Sequence, residues 1–339
     1  MNHTPLEPAS AATAPAPPAH PDARRGDLRR RLGRAAIVAC LPYLTLKLLW
    51  VLGVDVGVVD RHRLSHGLWV AVNLATFAMD AVAALVAYRL TKPGDSRVRT
   101  WLIALPMWVA SGLLSVITIS VPLGLAGVPF GTPSPFREVG FLQPWVYAVV
   151  YGGFIVEGVV LSGAFAMYVR DRHARVVDEP VAALAPRLPG GPRRSALAAA
   201  GLMAATGLVR LAWSFGADFG LTAERIAAMD SSARITDGVQ AVLALAAAIG
   251  MTTLVRGRSR VPAWWPLAVA WVGSAAAFGW GGGTGDLGAF ALDARHPVSA
   301  YMVAQYVVET AAGLIALAVG WRGLAAAAAT GSLDPADNP

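Results

Sequence analysis

Five ionisable residues lie inside long apolar runs of the sequence: Lys47, Asp80, Glu157, Arg210 and Glu309. A charged side chain at the centre of a membrane helix costs about 2.5–3.5 kcal/mol on insertion scales, so such residues usually pair or serve a function. The most economical arrangement is two equivalent ion pairs, Lys47 with Glu157 and Arg210 with Glu309. These five residues are therefore the candidates for binding a substrate or a proton. The alternative is that the pairs only hold helices together.

Polar residues flank these charges at helical spacing and form stripes along predicted helices. The stripes are Tyr43, Lys47 and Trp50; Asn73, Thr76 and Asp80; Ser111, Ser115 and Thr118; Thr206, Arg210 and Ser214; and Tyr301, Gln305 and Glu309. Residues spaced by four, seven or eight positions share one face of a helix. A face that touches lipid is apolar, so we expect these faces to point at one another or into a water-filled cavity. The predicted sixth span has no acidic counterpart of Asp80, which makes Asp80 the leading proton-titrating candidate, with a hydrogen bond to a neighbouring helix as the alternative.

The first and fifth apolar runs share the pattern basic-Leu-x-Trp-x-x-Gly-x-Asp. It occurs at Lys47, Trp50 and Asp55 and again 163 residues later at Arg210, Trp213 and Asp218. The two tryptophans and the two terminal aspartates are accordingly secondary site candidates, together with Tyr43, Asn73, Tyr301 and Gln305.

Two further matches follow in the same order. Trp108-Val109-x-Ser111 recurs as Trp271-Val272-x-Ser274, and Phe154-x-Val156-Glu157 recurs as Tyr306-x-Val308-Glu309. Three ordered matches predict an internal repeat. Because each repeat would contain four spans, both should have the same orientation, related by an axis along the membrane normal.

The composition predicts an all-α, polytopic membrane protein. Of 339 residues, 55% are hydrophobic and 14% are charged, with a mean hydropathy of +0.53, whereas soluble domains have roughly 25% charged residues. Apolar runs of span length recur along the chain. The predicted spans are 35–54, 67–89, 101–123, 143–169, 195–216, 238–255, 262–280 and 300–320.

Lysine and arginine alternate between the predicted loops, with 20 on the side of the termini and six on the other side. This asymmetry predicts a cell (inner or cytoplasmic) membrane protein with both termini in the cytoplasm. The expected organisation is a disordered basic tail over 1–34, repeat 1 over 35–169, a cytoplasmic linker over 170–194, repeat 2 over 195–322 and a short cytoplasmic tail over 323–339. Arginine outnumbers lysine greatly and alanine is abundant, as in GC-rich genomes such as those of actinobacteria.

No cofactor, metal or nucleic acid is expected. Gly283–Gly288 spells G-x-G-x-x-G but lies in a predicted loop between membrane helices, outside the strand–helix context that the fingerprint needs. His62, His66 and Asp60 are spaced like metal ligands, yet short-loop histidines are usually only solvated. Cys40, the only cysteine, excludes an intramolecular disulfide and is expected to be a small buried apolar residue. The net charge of +7 is distributed beside the apolar runs rather than on one basic face.

Three functions remain open, and the catalytic residues of any enzyme are unknown. The favoured hypothesis is a carrier or permease for a small molecule, with proton coupling as an option. The second is an intramembrane enzyme that acts on an isoprenoid or lipid, with Glu157, Glu309 or Asp80 as general acid. The third is a non-catalytic assembly, sensor or immunity protein. The expected partners are the lipid bilayer and one small or lipophilic molecule.

Overall fold

A computed structural model describes residues 21–60, 65–92, 101–136, 142–184, 190–283 and 298–329. The helices are α1 (Pro21–Val51), α2 (His66–Thr91), α3 (Trp101–Gly127), α4 (Pro144–Val177), α5 (Val181–Leu184), α6 (Gly190–Ser214), α7 (Ala223–Ala227), α8 (Ser231–Arg256), α9 (Trp264–Phe278) and α10 (Ala300–Ala329). A 3₁₀ turn over Val128–Phe130 follows α3, and a π-helix over Gly279–Gly283 follows α9. Within the described ranges no β-strand forms, and only two isolated β-bridges occur.

Seven of these helices are long and apolar enough to cross a membrane: α1, α2, α3, α4, α6, α8 and α10. The expectation of an all-α chain is therefore confirmed for the described residues, and the helices are consistent with a polytopic membrane protein. The predicted span 262–280 coincides with α9, which has 15 residues, and with the five-residue π-helix that continues it. This segment is not among the seven.

The predicted disorder of the basic tail is wrong for its last part. Helix α1 begins at Pro21, so residues 21–34 are helical, while residues 1–20 lie outside the described part of the chain. Two ion pairs favour the helix. Arg31 lies 2.8 Å from Asp27 one turn earlier, and Arg29 lies 2.8 Å from Asp171 of α4. The arginines thus extend the first membrane helix by several turns, because local and tertiary carboxylates hold them there.

The other predicted boundaries also shift towards longer helices. Helix α4 continues to Val177 and α5 covers Val181–Leu184, so part of the expected linker is helical. Helix α10 likewise continues to Ala329; residues 185–189 and 330–339 are outside the description. Helices commonly run beyond the hydrocarbon core into the interface, where their ends can meet water.

The helices pack in a pattern that occurs twice. Helix α1 packs against α2 and α4, and α6 packs against α8 and α10. Helices α3 and α9 contact each other between these groups, and α3 also contacts α4 as α9 contacts α10. The α3–α9 approach is very close: a Cβ at Gly112 would collide with the backbone of Ala275.

Two hydrogen bonds cross the contact between α3 and α9. The Trp108 indole N–H donates to Ser274 Oγ at 3.1 Å, and the Trp271 indole N–H donates to Ser111 Oγ at 2.9 Å. The same pair of residue types therefore bonds in both directions across one contact. Burial makes each indole N–H dependent on its hydroxyl partner.

The ends of α1 and α6 have the same turn. Trp50 Nε1 donates to the carbonyl of Val56 at 2.8 Å, and Trp213 Nε1 donates to the carbonyl of Phe219 at 3.0 Å. Each helix then ends at a glycine with positive φ, Gly53 at 85° in the first case and Gly216 at 97° in the second. Because L-residues rarely adopt this conformation, glycine is required there. The repeated tryptophan–glycine pattern therefore specifies a helix stop with a buried tryptophan folded back over it.

Candidate functional site

The first polar cluster lies between α1 and α2. Lys47 Nζ donates to Asn73 Oδ1 at 2.9 Å, and its ammonium lies 4.9 Å from the Tyr43 ring centroid and 5.0 Å from that of Trp50. One turn deeper, the side chain of Tyr43 contacts Thr76 of α2. The predicted stripes of these two helices thus face each other, because both are buried by the same helix pair.

The predicted ion pair between Lys47 and Glu157 is wrong. Within the described part of the chain Lys47 makes its hydrogen bond with an amide and has no carboxylate partner. Glu157 contacts α1 at Cys40 instead. Cys40 and Lys47 are seven residues apart, or about 10 Å along the helix axis. The Lys47 side chain points into the α1–α2 contact and does not reach across this distance to Glu157.

The second cluster joins three helices through Cys40 of α1, Asp80 of α2 and Glu157 of α4. The Cys40 sulfur and one carboxylate oxygen from each acid all lie within 4.8 Å of one another. Cys40 is 1% exposed, Asp80 is 6% exposed and Glu157 is 2% exposed. Glu157 interacts electrostatically with both neighbours. Two carboxylates this close repel each other unless a proton or another cation lies between them.

The third cluster is the Arg210 network of the second half. Arg210 makes a bidentate pair with Glu309, with Nε–Oε1 at 2.6 Å and Nη2–Oε2 at 2.7 Å, so the predicted ion pair is present. Its Nη1 donates to Asp237 Oδ1 at 2.8 Å. Gln305 donates to Glu309 at 2.8 Å and to the Thr206 carbonyl at 3.0 Å. With Arg225 placed 3.8 Å from Asp237, two cations face the two carboxylates of this network.

Sequence reasoning missed Asp237. The predicted sixth span began at residue 238, which left Asp237 in a loop, whereas α8 begins at Ser231 and buries Asp237 to 2% exposure. Arg225 lies 3.8 Å from its second oxygen. A usable signal existed in the spacing, since Asp237 follows Arg210 by 27 residues and Asn73 follows Lys47 by 26. Asp237 is thus the acidic counterpart of Asn73 rather than of Asp80.

Sequence reasoning also treated Cys40 as an inert apolar residue. Its neighbours are not apolar, because both buried acids of the first half lie against its sulfur. The position and residue type of Cys40 did not indicate this contact, because the two acids are 40 and 117 residues away in the chain.

The remaining secondary candidates do not enter the buried clusters. Trp213 packs against Tyr301 with ring centroids 6.3 Å apart, and Tyr301 is 42% exposed. Asp55 and Asp218 lie in the exposed turns after α1 and α6, where their carbonyls accept from the backbone. Of the α3 stripe, Ser111 bonds to Trp271 while Ser115 bonds to its own helix; Thr118 packs against Gly158 of α4.

Of the loop residues spaced like metal ligands, Asp60 and His66 are exposed, and His62 lies outside the described residues. Most of the G-x-G-x-x-G segment, residues 284–288, also lies outside the description. Comparisons with family models, curated proteins and solved structures found no match to this chain.

Proposed function

We infer that the chain consists of two four-helix repeats with eight membrane spans, related by rotation about the membrane normal. The reciprocal tryptophan–serine bonds between α3 and α9 support this, because a two-fold axis exchanges equivalent residues in this way. The equivalent turns after α1 and α6 support it independently. Helix α9 with its π-helix then supplies the eighth span. Both termini lie in the cytoplasm and the chain resides in the cell membrane, as the basic residues indicate.

The proposed function is that of a carrier for a small molecule, coupled to a cation, in which the first half holds the binding site. The observation that carries this proposal is an asymmetry between equivalent places. In the second half, Arg210 meets two carboxylates and leaves a compensated network. In the first half, the cation and the acids occupy separate clusters. A membrane protein keeps uncompensated buried charge only at some cost, and such residues usually serve ion or substrate pathways.

Lys47 is suited to hold an anionic group of the substrate. An ammonium has three N–H donors, and one hydrogen bond, to Asn73, engages it within the described residues. The rings of Tyr43 and Trp50 pack beside the amine and would contact flat or apolar parts of a substrate. Asp80 and Glu157 would hold the coupling cation, for which the sequence suggested a proton. The Arg210 network would serve as the static frame against which the first half moves.

A thiol-labelling experiment tests this proposal without knowledge of the substrate. A carrier must open its binding cluster to water in turn on each side, whereas Cys40 is 1% exposed in the structure. Because Cys40 is the only cysteine, the natural chain can be treated directly with a membrane-impermeant methanethiosulfonate reagent. Right-side-out and inside-out vesicles report the two sides. Minor conformations are typically populated at about 0.1–10%, so Cys40 should react roughly 10- to 1,000-fold more slowly than an exposed cysteine.

Two variants in a Cys40→Ala background serve as references. Ala228→Cys lies in an exposed turn and gives the fast limit. Met203→Cys occupies the position equivalent to Cys40 in the second half and is equally buried; it should stay unreactive if the Arg210 network is static. Labelling of Cys40 only after denaturation would overturn the carrier and favour the assembly, sensor or immunity role. Equal labelling of both positions would refute the division between halves.

One observation favours the intramembrane enzyme as a second candidate. An open apolar groove of about 510 Å³ runs between α1 and α4, lined in part by Ala35, Ala39, Gly153 and Val156, with Arg34 at one end. Ala39 and Val156 directly precede the buried Cys40 and Glu157 in the chain. A lipophilic chain in this groove would lie along the two helices that carry Cys40 and Glu157, with Arg34 near an anionic head group.

Incubation of the purified chain with geranylgeranyl diphosphate as probe distinguishes the enzyme from the carrier. If the chain is an enzyme, mass spectrometry should detect a new product, and Glu157→Gln should abolish its formation. A carrier would return the probe unchanged while Cys40 remained open to thiol labelling.

A further inference from the structure

The cluster of Cys40, Asp80 and Glu157 has the donors of a metal site. Its sulfur and two carboxylate oxygens come from three different helices and all lie within 4.8 Å of one another. A zinc ion is bound at about 2.3 Å by sulfur and at about 2.0–2.2 Å by carboxylate oxygen. Ligand atoms around one ion are therefore roughly 3–4.5 Å apart, so these three atoms need little or no movement to coordinate it.

The electrostatics of the cluster point to a missing positive charge. Asp80 is 6% exposed, yet its Oδ2 has no hydrogen-bond partner among the described residues. The buried cation of α1, Lys47, donates to Asn73 instead. In the second half the buried acid Glu309 receives two hydrogen bonds from Arg210. A buried carboxylate oxygen without a partner is costly, and a cation bound between the acids would satisfy it.

The thiol determines which cations fit best. Calcium and magnesium take oxygen ligands, whereas a thiolate selects softer metals such as zinc. A divalent ion bound by a thiolate and two carboxylates leaves one net negative charge. Lys47 lies seven residues from Cys40 on the same face of α1, so its positive charge is about 10 Å away along the helix axis. The fourth coordination position stays open, as in zinc sites that exchange a ligand.

We propose that Cys40, Asp80 and Glu157 bind a divalent transition-metal ion of the zinc class, as the coupling or transported cation of the carrier. This inference rests on the proposed function, because a cluster this deeply buried fills only if the first half opens to water.

Cobalt titration of the purified full chain in lipid nanodiscs, after treatment with a chelator, tests the proposal. Co²⁺ replaces zinc and gives a sulfur-to-cobalt charge-transfer absorption that only a thiolate ligand produces. Since Cys40 is the only thiol, the band should saturate at one ion per chain and disappear on addition of Zn²⁺ but not of Mg²⁺. Asp80→Asn and Glu157→Gln should each weaken Co²⁺ binding by more than the roughly 10- to 100-fold that loss of an outer-shell partner costs.

Three controls separate this site from other metal binding. Cys40→Ser should abolish the band. Cys40→Ala with Met203→Cys offers an equally buried thiol in an apolar cluster of the second half and should give no band. Glu224→Gln, an exposed acid of α7, should bind Co²⁺ like the natural chain.

The outcomes for the metal site and for the carrier are distinguishable. A chain whose Cys40 reacts with the thiol reagent but shows no cobalt band overturns the metal site and leaves the carrier standing. Binding that survives Cys40→Ser, or that Mg²⁺ displaces, also overturns it. Absence of both labelling and band overturns both proposals.

Discussion

Replacement of Arg210 by methionine should destabilise the protein severely. Arg210 makes three hydrogen bonds to Glu309 and Asp237, and all three side chains are nearly inaccessible to solvent. Removing the shared cation leaves Glu309 buried without its cation and takes the closer of two cations from Asp237, which keeps Arg225 at 3.8 Å. Breaking one buried pair typically costs about 3–5 kcal/mol, so we expect a loss in that range. Each 1.4 kcal/mol is a factor of ten, so the ratio of folded to unfolded protein should fall by a factor of about 10² to 10⁴.

The equivalent substitution in the first half, Lys47→Met, is the matched control. Lys47 lies at the same place in the repeated pattern and is also buried, but its partner is the neutral amide of Asn73. Its removal loses one charge-assisted hydrogen bond, worth about 1.5–3 kcal/mol, and relieves the burial of an ammonium. We therefore expect the free energy of unfolding to change by less than about 2 kcal/mol.

Unfolding in mixed micelles with increasing denaturing detergent, followed by tryptophan fluorescence, measures both variants. A third variant, with Arg210→Met, Asp237→Leu and Glu309→Met, removes every charge of the triad. It should recover most of the lost stability, because replacing a buried ionic triad by apolar residues is often neutral or stabilising. The reasoning fails if Lys47→Met is as damaging as Arg210→Met, or if the charge-free variant is no more stable than the single one.

Three further outcomes follow from the packing, the acids and the topology. Gly112→Ala should cost at least about 2 kcal/mol of stability because its Cβ would meet the backbone of α9. The control Gly201→Ala, at an open helical position, should be neutral or stabilise the protein by up to about 1 kcal/mol. Equal melting temperatures of the two variants would contradict the close α3–α9 contact. Glu157→Gln should fold normally, because an amide can donate to Asp80. Glu309→Gln should lose roughly 1–3 kcal/mol of stability, because it weakens a bidentate ion pair. The reverse order of melting temperatures would contradict the assignment of the two clusters. A phosphatase reporter that is active only outside the cell, fused after Gly331, should be inactive, and an active fusion would overturn the proposed cytoplasmic C-terminus.

The apolar runs of the sequence predicted most of the helices correctly because hydropathy and helical spacing are local properties. The boundaries were less well predicted. Helix α1 begins at Pro21 rather than near residue 35, since Asp171 of a distant helix pairs with Arg29. Asp237 was left out of the predicted sixth span for a related reason. Hydropathy places an acid outside a membrane span, whereas in the structure the buried partner Arg210 stabilises Asp237 inside α8.

The sequence by itself determined which residues were the candidates, because a charge in an apolar run is conspicuous wherever the helix lies. Only the tertiary structure decided their partners. Arg210 and Glu309 meet as predicted, while Glu157 meets Cys40 and Asp80 instead of Lys47. The physical reason is that a hydrogen bond or ion pair requires side-chain atoms within about 3–4 Å. A shift of one helical turn along the membrane normal, or a modest rotation of a helix, changes these distances by more than about 3–4 Å. The hydropathy of a single helix determines neither the shift nor the rotation.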